Sequence, residues 1–112
     1  MNTGIYNVKF TSAQQNSSEG LAVLKDGSIN GGDKGYLYLG FFKVDGSTIE
    51  AKIRVKRWKP GIASIFGNLE EYDLNLRGTS NAASDNFTVS GSIIQVPTLK
   101  ITIHGQRISD AA

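Results

Sequence analysis

The chain has 112 residues, a formal net charge of +2, 13 glycines, 2 prolines, one histidine and no cysteine. That length suits one domain, spanning 1–112, whose folding buries about two-thirds of the unfolded chain's surface. Without cysteine there are no disulfides, thiolate metal sites or thiol nucleophile, and a lone histidine excludes the usual multi-histidine metal centres. No apolar stretch nears the roughly 20 residues that cross a bilayer. Met1–Tyr6 lacks a basic segment followed by an apolar run, so no signal peptide is expected and the expected location is cytoplasmic.

The charge is unevenly spread. Residues 1–48 balance four lysines against four acids. Residues 49–59 carry Lys52, Arg54, Lys56, Arg57 and Lys59 against Glu50, and residues 60–112 are net acidic.

In chain order, Tyr6, Val8 and Phe10 alternate with Asn7 and Lys9, the period of a half-buried strand. Glu19–Lys25 is a second apolar run, less regular, and Asp26-Gly27 after it reads as a tight hairpin turn. A short strand near Ser28-Ile29-Asn30 is expected to close at a turn, Gly31-Gly32-Asp33. Gly35–Val44 is apolar on both parities, which predicts burial on both faces or an interface, and its Gly40 suits a bulge or sharp bend. Asp45-Gly46 is another hairpin turn. Ile49, Ala51, Ile53 and Val55 then alternate with Glu50, Lys52, Arg54 and Lys56, the clearest strand in the chain. Pro60-Gly61 breaks it, and Ile62–Phe66 has room for one helical turn. Tyr72, Leu74 and Leu76, then Phe87, Val89 and Ile93, then Leu99, Ile101 and Ile103 mark three more alternating strands, with a polar connection at Asn81–Asn86. Seven or eight strands joined by short turns make an antiparallel meander. Curling it into a small barrel of about eight strands hides its edges, which favours that all-β architecture over an open sheet or sandwich.

Chemistry is scarce. His104 shares the outward parity of Lys100 and Thr102, and no spacing assigns it an orienting partner for general-base work. Glu70, Glu71 and Asp73 read as a solvated face rather than a cation site or acid pair. Gly31–Gly35 lacks the spacing and the following helix of a phosphate loop. No catalytic constellation emerges, and no cofactor is expected. Lys52, Arg54 and Lys56 with Arg57 and Trp58 form a basic patch with one ring, a pattern that holds single-stranded nucleic acid when more aromatics are present. Lysine guarding a strand is the plainer reading. Tyr36, Tyr38, Phe42 and Phe87 are candidates to line or fill a barrel interior. Leu37, Leu39 and Phe41 exceed what one interior needs and are the expected dimer seam.

Several strings, in this order, resemble a known family. Gly4-Ile5-Tyr6-Asn7-Val8-Lys9-Phe10, Glu19–Gly27, Gly31-Gly32-Asp33 and Tyr38-Leu39-Gly40 look like the type III secretion negative regulator family, GrlR. Arg57, Ser64-Ile65 and Tyr72-Asp73-Leu74 extend the match loosely. The resemblance implies a lipocalin-like barrel, a homodimer and no catalysis. It also implies repression by holding a helix-turn-helix transcriptional activator off DNA. A cavity for a small apolar ligand is the alternative it carries. The characterised regulator engages its activator with an acidic loop, Glu-Asp-Glu-Asp. The corresponding hairpin here, Asp45, Gly46, Ser47 and Thr48, has one carboxylate and is the expected partner-binding segment.

Overall fold

Side-chain alternation along each strand sends one parity inward and the other to solvent, and closing the sheet on itself gives the inward set a common core. The computed structural model, which describes residues 2–61, 66 and 69–112, contains eight strands. They are β1 (Gly4–Ser12), β2 (Ser17–Lys25), β3 (Ser28–Gly32), β4 (Tyr36–Asp45), β5 (Thr48–Arg57), β6 (Glu71–Asn81), β7 (Asn86–Ile93) and β8 (Lys100–Ser109). Each is antiparallel to the next, and β8 returns to β1 to close the barrel. The closing seam runs from Ile5 opposite Ser109 to Ser12 opposite Ile101, with a register shift between Ile5 and Tyr6. The helical turn expected at 62–66 falls on residues 62–65, outside the described residues.

The core is the inward parity: Tyr6, Val8 and Phe10 of β1, Ile53 and Val55 of β5, Leu74 and Leu76 of β6, Ile101 and Ile103 of β8, with their equivalents between. Tilted ring pairs, Tyr6 with Phe87 and Phe10 with Tyr38, tie opposite parts of the interior together.

Three local expectations are corrected. Gly31 and Gly32 are not in a turn but end β3, paired with Ala22 and Leu21 of β2. The turn is Asp33-Lys34-Gly35. Glycine at 31 is needed for close approach, because a Cβ there would lie 2.1 Å from the Leu21 carbonyl oxygen and 2.6 Å from Ala22 Cα. Gly40 makes no bulge, since the β3–β4 and β4–β5 registers run through it unbroken. And β4 is not buried on both faces: Tyr36 and Tyr38 point in, while Leu37, Leu39 and Phe41 point out.

The two rims differ. Asp26-Gly27, Gly46-Ser47 and the 82–85 turn lie at one rim, with both chain ends. Asp26 and Gly27 both take positive φ, 52° and 80°, as a two-residue hairpin that follows strand twist requires. The 13–16, 33–35, 58–70 and 94–99 connections lie at the other rim.

Candidate functional site

At the rim of longer connections the barrel opens into a recess of about 940 Å³ lined by Phe10, Tyr36, Tyr38, Val55 and Tyr72 among others, while the closed interior beneath it is nearly filled. The interior cavity measures about 30 Å³ and is lined by Tyr38, Phe42, Phe87 and aliphatic side chains. That is about the size of one water molecule, whereas drug-sized ligands occupy about 300–1,000 Å³. Tyr36 is not in this cavity; it stands at the looped rim.

There the Asp33 carboxylate organises the β3–β4 turn. Its Oδ1 accepts from the N–H groups of Gly35 (2.9 Å) and Tyr36 (2.8 Å), and its Oδ2 accepts from the Tyr38 hydroxyl. Burial, with the Asp33 hydrogen bond and charge adding to it, pushes the Tyr38 hydroxyl well above its ordinary pKa. Trp58 Nε1 donates to the Asp33 carbonyl at 3.1 Å, pinning the end of β5 over the turn. Arg57 donates to the Tyr36 hydroxyl from Nη2 at 2.9 Å, lies over that ring at 5.6 Å, and pairs with Glu70 at 3.2 Å. These are framework bonds. The basic patch is therefore split: Arg57 and Trp58 serve the rim, while Lys52, Arg54 and Lys56 stay on the outer face of β5.

Arg54 is also engaged. It donates from Nε to Asp73 at 3.0 Å and lies 3.8 Å from Glu71. Hydrogen bonds from Arg54 and from Gln95 hold the Asp73 carboxyl below its ordinary pKa. The carboxylates at 70, 71 and 73 are thus ion-pair partners of Arg57 and Arg54. Among the described residues no cluster of His, Asp and Glu is arranged to hold a metal ion. His104 is exposed, its Nδ1 2.9 Å from Thr88 Oγ1 in a cross-strand pair.

A second surface feature, on the side of the barrel, is the outer face of β4. Leu37, Leu39 and Phe41 are 36%, 41% and 73% exposed. The register puts small or polar β3 residues on one side of them and cations on the other: Gly32 and Lys56 flank Leu37, Asn30 and Arg54 flank Leu39, Ser28 and Lys52 flank Phe41. Beyond β3 lie Leu21 and Lys25 of β2, both exposed. Shallow grooves of about 490 and 520 Å³ run on either side of Phe41, and Lys52 lines both. Ile94, also exposed, closes the first. Sequence parity separated the apolar set from the interior rings. It did not show the ring of lysines around that set, which only the β2–β3–β4–β5 register brings together. The Asp45–Thr48 hairpin is exposed over Asp45, Gly46 and Ser47, and Ser47 accepts from the Ser80 N–H.

No curated protein matches the chain. A family match does cover residues 1–110, under the description T3SS negative regulator, GrlR. The closed barrel, the Asp33-centred turn and the Tyr38-Leu39-Gly40 strand all fall within that span, and the chain belongs to the GrlR family of type III secretion negative regulators.

Proposed function

We propose that this protein is a non-catalytic regulator that lowers type III secretion gene expression by binding a helix-turn-helix transcriptional activator and keeping it from DNA. Family membership over 1–110 carries the reading. One feature supports binding over chemistry: the sole histidine is tied to a threonine on a polar sheet face. The nucleic-acid reading draws little support, because Arg54 is neutralised and Trp58 is spent on the rim.

The test is a mobility-shift assay with the host's helix-turn-helix activator of its secretion genes and its promoter fragment. Adding the purified chain in stoichiometric excess should release the DNA. Retention of the full activator–DNA complex, with no chain bound to the activator, would overturn the proposal.

A further inference from the structure

We infer that the outer face of β3, β4 and β5 is a docking surface for an acidic, apolar-rich segment of another protein. The inference deepens the reading of the chain as a protein-binding regulator, without depending on which protein is bound.

The apolar centre is Leu37, Leu39 and Phe41, with Phe41 the most exposed large apolar residue described. A phenyl ring standing between two grooves is the geometry of an anchor that a partner can enclose, the kind of residue that dominates interface energetics. The charge around it is predominantly positive. Lys25, Lys43, Lys52 and Lys56 surround the apolar set, and none of them forms an ion pair among the described residues. Of the nearby carboxylates, Glu71 and Asp73 are engaged with Arg54 and Glu50 with Arg77 at 3.5 Å, which leaves Asp45 at the end of β4. The face therefore offers unpaired ammonium groups around an apolar anchor, and carboxylates spaced among apolar side chains complement it.

Other occupants fit less well. A second copy would bring two such lysine sets into one interface with a single unpaired carboxylate, Asp45, from each face to offset them. Nucleic acid would meet leucines and one phenyl ring where it needs stacking platforms. An anionic bilayer would meet an anchor flanked by grooves, which suit side chains better than a planar surface.

The experiment titrates the nitrogen-labelled full chain with a synthetic peptide alternating Glu with Phe and Leu, and with its counterpart carrying Lys at every Glu. Amide shifts are read by NMR. The acidic peptide should shift Leu39, Phe41, Lys52 and Lys56, the basic peptide should not, and added salt should weaken binding. Phe41→Ser, and separately Lys52→Gln with Lys56→Gln, should each weaken binding about tenfold while the rest of the spectrum keeps its folded dispersion. Equal response to both peptides would overturn the inference, as would shifts on another face. So would sedimentation showing a dimer that Phe41→Ser dissociates, or tighter binding of the same face to oligo-dT or to phosphatidylglycerol vesicles. The promoter-release assay separates the two readings. A double lysine variant that loses the peptide yet still frees the DNA removes this surface from the regulatory step and leaves the proposed function standing.

Discussion

Asp33 makes one turn expensive to alter. Replacing it with Ala strips acceptors from the Gly35 and Tyr36 N–H groups and from the buried Tyr38 hydroxyl. Unsatisfied buried donors cost about 1–3 kcal/mol each, so Asp33→Ala should lose about 2–3 kcal/mol in urea unfolding. Tyr38 gives a pH signature. Its folded pKa lies above the ordinary tyrosine value of 10.0, so the folded state holds a proton that the unfolded state releases. Stability is then full below pH 10.0 and falls as pH rises beyond it; Tyr38→Phe should flatten that alkaline limb. The Gly-Gly-Asp string announced a special backbone but not its location. Reading both glycines into the turn missed that the strand before it crosses β2 too closely for a side chain. Gly40 is a second such place. A Cβ there would fall 2.1 Å from the Lys52 carbonyl oxygen, and that atom is backbone. Gly40→Ala should cost about 1–3 kcal/mol and shift β5 amides.

At the scale of elements, β5 shows what parity can and cannot tell. Its inward and outward sets were legible from Ile49 to Lys56. Arg57 shares the inward parity of Ile53 and Val55, so its turn toward Tyr36 was readable too, though grouping it with neighbouring cations hid this. Whether Arg54 or Lys52 is free was not readable. That depends on the β5–β6 register, which sets Arg54 against Asp73 and Lys52 against Asn75. The Arg54–Asp73 pair is exposed to solvent, so Arg54→Ala should leave the urea midpoint nearly unchanged. Its readout is the Asp73 titration. Because the folded pKa is lowered from 3.8, the pair's contribution is present above that value and lost as pH falls through the folded one. NMR titration of Arg54→Ala should move the Asp73 midpoint upward, with Gln95 still holding part of the depression.

For the whole molecule, strand number and style were legible, whereas closure rested on an argument about edges. Nothing local in Gly4–Ser12 or Lys100–Ser109 names the other as partner, yet that seam completes the core. Deleting residues 104–112 would leave Ile5, Tyr6, Asn7, Val8 and Lys9 of β1 without their β8 partners. The expected outcome is loss of the single cooperative urea transition and concentration-dependent aggregation through exposed edges, read by circular dichroism and sedimentation. The intact chain, dominated by pairings distant in sequence, should fold on a millisecond-to-second scale.

An antiparallel meander with an even number of strands delivers its last residue to the rim where its first began, and Ile5 beside Ser109 is that arithmetic in this barrel. Any polypeptide joined before Gly4 or after Ser109 therefore hangs from the rim of tight turns. A tether at either terminus grips the molecule in one orientation, holding the Asp33–Trp58 latch outward and leaving the β4 wall unobstructed along its side. Immobilised through either end, the protein should present the same aspects to whatever is passed over it.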